Sequence, residues 1–244
     1  LVRAIPRAFR RIDVPMFYSS GFHPKPDMVF GPALSLGVYS LDEYLDLKLT
    51  CDVDEATLAE RLSAVSQDGL RFTGVRVLGP NDAGVNKLIA AARYVLAFPT
   101  ATLPGGVDFL RARAAHVIAA EEQKILRKIE GIGKWIDVKR FLTGLRVEDP
   151  SAGPIVARAG LGGSLVTVLV DVAITNAGAV KAHEVAEVLL GEGARDTPYA
   201  VVRAAMGGLI DGALVSPLEL ERFRKAPPAR EPLGAPAAPT ALET

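Results

Sequence analysis

The sequence predicts an α+β fold of two tandem ferredoxin-like (βαββαβ) halves, the first lacking its initial strand, and three observations carry that prediction. Residues 1–78 read helix, strand, strand, helix, strand, and the same order recurs with an insertion from residue 94 onward. The strands alternate with a period of two, as Leu45, Leu47 and Leu49 do against Asp46, Lys48 and Thr50. The recurrence lies in element order alone, with no residue-level repeat beside it. One strand ahead of Leu1 would complete the first unit, so the polypeptide is expected to extend upstream. The division is then a first half at 1–79, a linker at 80–93 introduced by Gly79-Pro80-Asn81-Asp82, a second half at 94–220 and a disordered tail at 221–244.

The first element is a basic amphipathic helix. Arg3, Arg7, Arg10 and Arg11 fall within about a third of the helical circumference, while Leu1, Ile5, Phe9 and Ile12 face the other way. Pro6 has no amide to donate and clashes one turn back, so the helix kinks or starts there. Its arginine face reads as the solvated side of a core-packing helix, as a stripe facing phosphates, or as a membrane-surface face. Residues 19–40 then form a long shaped loop, because Gly21, Pro24, Pro26, Gly31, Pro32 and Gly37 interrupt any regular helix. Within it Pro24 holds His23 and Lys25 on stiff, extended backbone. A strand over 43–50 leads to a helix capped by Asp54, which runs to about Gln67 with Leu58, Leu62 and Val65 on one side and stops at Gly69. Leu70, Phe72, Val75 and Val77 alternate with one slip at Gly74, which predicts a bulged strand.

The second half opens with a strand over 94–99 and a helix to about residue 120 that carries Leu110, Ala114, Val117 and Ile118 on one face. A strand follows over 124–129, then an extra helical turn or two over 136–145. Residues 165–174 are the most apolar strand, with Val166, Val168, Val170, Val172 and Ile174 on one face, and are expected at the centre of a sheet. A helix over 181–190 and a strand over 199–203 complete the unit. From Ala226 the chain is rich in proline and alanine without apolar periodicity.

Charge is balanced globally, with 28 Lys plus Arg against 28 Asp plus Glu, yet segregated locally. Residues 1–26 and 124–146 are basic, and residues 42–60 are acidic. The longest apolar run, 165–170, is far short of the roughly 20 residues that span a bilayer. No signal peptide is evident, so a cytoplasmic protein without membrane contact is expected.

The run Gly21-Phe22-His23-Pro24-Lys25-Pro26, followed by Phe30-Gly31-Pro32-Ala33-Leu34, Leu36-Gly37, Ser40 and Glu43-Tyr44-Leu45-Asp46, resembles the radical-SAM-linked protein family. That family is a domain of unknown function found beside, or fused behind, cobalamin-binding radical SAM proteins. The resemblance covers most of residues 1–220, with its specific motifs in the loop and the strand after it. It implies a radical SAM protein as partner, in trans or as an upstream fusion, and a setting in RNA or ribosome metabolism. It implies no catalytic residues. The one cysteine, Cys51, excludes an internal disulfide and the three-cysteine cradle of a radical SAM cluster. No cofactor is therefore expected in this chain; an iron–sulfur cluster, S-adenosylmethionine and cobalamin would belong to the partner.

Candidate binding residues fall in three groups: Arg3, Arg7, Arg10 and Arg11; Gly21, Phe22, His23, Pro24, Lys25 and Pro26; and Lys134, Trp135, Lys139 and Arg140. In the last, Gly131-Ile132-Gly133-Lys134 has the composition of an anion-binding loop without Walker spacing. Trp135 beside Lys134 offers a stacking face next to a cation, as single-stranded nucleic acid requires. The alternative is a glycine turn whose tryptophan fills the core. His23 reads as a general acid or base, or as a binding or surface residue. His116 and His183 form no metal-ligand spacing, and no metal site is expected. Asp42, Glu43 and Asp46 read as a solvated strand face rather than a carboxylate pair for hydrolysis, and Cys51, with Asp52 beside it and no basic neighbour within three residues, is given no role. The leading function is an accessory domain that holds tRNA or ribosomal RNA for a radical SAM enzyme. A protein-interaction module is the alternative, and an enzyme with its site in the 19–40 loop has no nucleophile, metal cradle or cofactor motif behind it.

Overall fold

The structure, a computed structural model, describes residues 2–129, 131–191 and 196–219. Helix α1 (Ala4–Arg11) buries Ile5, Ala8 and Phe9 and leaves Arg3, Arg7, Arg10 and Arg11 exposed. Pro6 sits in its first turn, where the missing amide has no helical partner to lose. Strand β1 (Met28–Phe30) pairs antiparallel with β3 (Leu45–Leu47), and β2 (Val38–Ser40) lies between them in sequence but leaves for another sheet. Helix α2 (Glu55–Ala64) starts at Asp54, whose carboxylate accepts the Thr57 amide. Leu45, Leu47 and Leu49 pack with Ile5, Phe9, Ile12, Leu58 and Leu62 into one cluster. Residues 70–78 form no strand, against the expectation, although Leu70, Phe72 and Val75 rest on that same cluster. Among the described residues no strand lies beside them to complete a backbone ladder.

After the short helix α3 (Val85–Leu88), the chain builds a seven-stranded mixed sheet. The elements that follow are β4 (Ala91–Pro99), α4 (Gly106–Ala119), the hairpin β5 (Lys124–Ile129) and β6 (Ile132–Asp137), whose strands pair with each other in a separate two-stranded sheet, β7 (Leu142–Val147), α5 (Ala152–Arg158), β8 (Leu165–Thr175), β9 (Gly178–Ala179), α6 (Ala182–Leu190), β10 (Ala200–Ile210) and β11 (Ala213–Val215). The spatial order is β11-β10-β4-β8-β7, with β9 on β8 and β2 on β10. Every pairing is antiparallel except β2 on β10, which is parallel. Within it, β4, α4, β7, β8, α6 and β10 follow the order of a βαββαβ unit. One face, carrying Leu96, Phe98, Val168 and Val170, is covered by Leu110, Val117, Val185 and Leu189 of α4 and α6. The other, carrying Val95, Ala97, Leu169 and Val202, receives Ala152 and Val156 of α5.

The β8 strand lies inside the sheet, as the valine run predicts. Of the helical turn or two expected over 136–145 there is one 3₁₀ turn, at Val138–Arg140; the rest is the end of β6 and β7, because Ile136, Val138 and Leu142 are drawn into the sheet's own core. The strand expected at 199–203 runs on to Ile210, where Gly207 lets β11 fold back. A Cβ there would lie 2.0 Å from the Val215 carbonyl oxygen. Among the described residues no helix is long and apolar enough to cross a membrane. The 221–244 tail lies outside the described residues.

Candidate nucleic-acid interface

The glycine- and proline-rich stretch divides into two parts with different work. Residues 19–25 close a hairpin whose base is the Tyr18 to Pro26 bridge, with the Ser19 amide donating to the Lys25 carbonyl at 2.9 Å and the Lys25 amide to Ser19 Oγ at 3.1 Å. Gly21 takes φ 122°, which lets the tip turn without a Cβ in the way. Phe22 is fully solvent-exposed, at 101% of its reference area, and His23, Pro24 and Lys25 are exposed beside it, while Pro26 is half-buried. The tip presents side chains.

Residues 31–44 do the opposite and clasp the main sheet. Arg203 of β10, with 3% of its side chain exposed, donates from Nη1 to the Glu43 carboxylate and the Pro32 carbonyl, each at 2.9 Å. Its Nη2 donates to the Ala33 carbonyl at 2.9 Å and its Nε to the Tyr94 hydroxyl at 3.2 Å. Asp42 accepts the Met206 amide at 2.8 Å, the Tyr44 hydroxyl meets Ser216 Oγ at 3.0 Å, and β2 adds its backbone ladder to β10. Burial pushes the Asp42 carboxyl above the usual carboxylate range, against the Met206 amide that pulls it down; burial likewise raises the Tyr44 phenol. Asp46, expected on a solvated face, instead accepts the Val85 amide at 2.7 Å. Beneath the clasp lies a cavity of about 390 Å³ lined by Pro32, Leu34, Val38, Tyr94, Val172 and Lys181 among others.

The arginine helix adjoins the base of the exposed hairpin: Pro6, Phe9 and Arg10 share a depression of about 450 Å³ with Val14, Met16 and Tyr18. Among the described residues none of Arg3, Arg7, Arg10 and Arg11 enters an ion pair. Lys48 is held 4.3 Å above the Phe17 ring nearby.

The second basic group sits on the β5–β6 hairpin, which turns through Gly131 at φ 83°. Register places Trp135 opposite Leu126 and Gly133 opposite Lys128, so these share one face. Trp135 is 65% exposed, which decides against a core tryptophan, and Leu126 and Lys128 are exposed with it. Much of the positive charge around it is engaged. Arg127 binds Glu184 at 2.6 Å, Lys124 binds Glu122 at 2.8 Å, and the Lys139 ammonium donates to the Ile118 carbonyl at 2.8 Å. Arg146 and Arg93 converge on Asp171. Burial would raise the Asp171 carboxyl, but the two guanidiniums outweigh it and hold it below the ordinary value. Lys128, Lys134 and Arg140 stay exposed, with no ion pair among the described residues. Leu126 was absent from the sequence-derived candidates, and Lys128 stood only as part of the basic cluster; the hairpin register counted back from Gly131 puts both beside Trp135.

His23 and His116 are exposed, and His183 Nδ1 lies 3.1 Å from the Tyr199 hydroxyl. Among the described residues no group of three or more His, Cys, Asp or Glu is placed to hold a metal. The exposed features are an arginine helix, a hairpin tip and a tryptophan-bearing hairpin on a mixed α+β scaffold. The chain belongs to a bacterial family described as uncharacterized protein conserved in bacteria (DUF2344), which it matches over residues 1–181. No curated protein and no solved structure matches it.

Proposed function

We propose that this chain is an accessory domain that holds RNA for a radical SAM enzyme acting in tRNA or ribosomal RNA modification or processing. The observation that carries the RNA part is the exposed Trp135, set opposite Leu126 and on one hairpin face with the exposed Lys128. An aromatic face next to cations suits unpaired bases and their phosphates, and each stacked base is worth about 1–3 kcal/mol. The arginines of α1 and the Phe22-His23-Lys25 tip add a second basic surface with its own aromatic ring. The radical SAM part rests on the resemblance of residues 21–46 to the radical-SAM-linked family, and the scaffold in this reading is two tandem ferredoxin-like halves in a cytoplasmic protein. The iron–sulfur cluster, S-adenosylmethionine and cobalamin are the partner's.

The test is a titration of labelled single-stranded and hairpin RNA at several salt concentrations. Binding should weaken along a log–log slope of about −0.7 per neutralised phosphate on single strands. Replacing Arg7 and Arg10 by alanine should reduce the slope by about 1.4, two contacts at about 0.7 each. Trp135→Ala should weaken binding about tenfold with the slope kept, because stacking releases no counterion. Absent or salt-independent binding removes the RNA reading. It would favour the protein-interaction alternative, which has its own support in Phe22 and Leu36, exposed at 101% and 99%.

A further inference from the structure

The cavity of about 390 Å³ beneath the 31–44 clasp has a lining sorted by chemistry. Val172 and Val180 are buried in its wall and Leu34 and Val38 half-buried, so most of a guest's surface would meet carbon. Its buried polar side chains are Tyr94 and Arg203, 9% and 2% exposed. Ala33 and Lys181 also line it and are exposed, so the cavity opens to solvent on their side. Donor capacity is left over at the buried end. The Tyr94 hydroxyl accepts from Arg203 Nε at 3.2 Å and gives its own proton to no described acceptor. Arg203 Nη2 carries two N–H groups and has one acceptor, the Ala33 carbonyl at 2.9 Å. The amide of Ala182, another lining residue, opens α6 and has no described acceptor either. Donors left over in an apolar setting call for an acceptor.

Charge narrows what that acceptor is. Arg203 is balanced by Glu43, and Glu184 in the first turn of α6 by Arg127. The Lys181 ammonium at the mouth has no ion pair among the described residues, so one positive charge stays uncompensated. We propose that this cavity binds a small organic acid, with its apolar body against Val172 and Val180 and one carboxylate that takes the spare donors of Tyr94 and Arg203 and is balanced by Lys181. An apolar cavity of about 150 Å³ takes one benzene ring, so this volume suits a body of one or two rings, roughly 15 non-hydrogen atoms with the carboxylate. A phosphate monoester would bring nearly two negative charges to a site with one positive charge to spare. The site stands apart from the RNA reading, because no residue of the arginine helix, the hairpin tip or the Trp135 hairpin lines it.

Methyl NMR and calorimetry on the 244-residue chain test it, with 1-naphthylacetate, the neutral 1-naphthylacetamide and 1-naphthyl phosphate as probes. Naphthylacetate should shift the methyls of Leu34, Val38, Val172 and Val180 saturably, with a Kd of about 1 mM or tighter, as ordinary ligand efficiency gives for a molecule of this size. The amide should bind about tenfold more weakly, for want of a charge-assisted hydrogen bond, and the phosphate more weakly than the carboxylate. Lys181→Gln, at an exposed position, should bring naphthylacetate down to the affinity of the amide and leave the amide unchanged. Tyr94→Phe should weaken naphthylacetate while Lys181→Gln still removes what preference remains. Naphthylacetate that shifts none of these methyls at about ten times the expected Kd, or only methyls outside the cavity, overturns the proposal. So does amide or phosphate binding as tight as that of the carboxylate, or a preference for the carboxylate that survives Lys181→Gln in full.

Discussion

Arg203 shows how one residue decides what its neighbours are for. Its guanidinium satisfies two carbonyls and a carboxylate of the 31–44 segment in a setting with 3% exposure, so its loss leaves those acceptors without a donor. Arg203→Met should lower the unfolding free energy by about 3 kcal/mol, read from urea midpoints, whereas Glu43→Gln, whose partner keeps its carbonyl contacts, should cost about 1 kcal/mol. Two carboxylates set opposite trends with pH. Asp171 titrates lower in the folded state than in the unfolded chain, so its stabilisation is complete above the unfolded value near 3.8 and is lost as pH falls through the folded one. Asp42 titrates higher when folded, so its contribution is complete below 3.8 and is lost as pH rises through the folded value. Asp171→Asn should therefore cost more than Asp42→Asn at pH 7, and the gap should shrink when the same urea titrations are run at pH 3. An equal cost at both pH values would show that the two guanidiniums do not hold Asp171 down.

At the scale of elements the hairpin tip at 19–25 and the clasp at 31–44 make separable predictions. His23 and Lys25 are both exposed, so replacing the pair with alanine should change stability by no more than about 0.5 kcal/mol while weakening RNA binding. A melting temperature that drops by several degrees would mean that the tip packs. Residue patterns made much of this legible. The arginine face of α1, the Asp54 cap, the valine face of β8 and the turn at Gly131 follow from periodicity, capping and backbone freedom, which act locally. What stayed hidden depends on partners distant in sequence. Nothing near Glu43 announces Arg203, 160 positions away, and Asp46 looks solvated until the Val85 amide is placed on it. Residues 70–77 have strand periodicity, but periodicity supplies no neighbour. Trp135 stood open between core and surface because its side depends on the β5–β6 register rather than on its own surroundings.

For the whole molecule, the clasp determines whether two cores act as one. Among the described residues the cluster around α1 and α2 has a two-stranded ladder beneath it, and its strand leucines are half-buried. Short sheets of that kind are marginal alone. The ties between this half and the larger core centre on β2 against β10, the Arg203 guanidinium on Glu43, Pro32 and Ala33, and the Asp42–Met206 bond, with Tyr44 on Ser216, Asp46 on the Val85 amide and Arg76 on the Leu218 carbonyl beside them. Unfolding should consequently be a single cooperative transition in the intact protein, and removing the tie should split it. The sequence supplies a probe in each half: Cys51, the one cysteine and exposed, takes a fluorophore, and Trp135, the one tryptophan, reports by its own anisotropy. Urea midpoints from the two should coincide in the unaltered chain. In Arg203→Met they should separate, with the Cys51 probe moving at lower urea because its half has lost the larger core. Coincident midpoints in the variant would mean that the α1–α2 cluster is bound to the main sheet by more than the clasp.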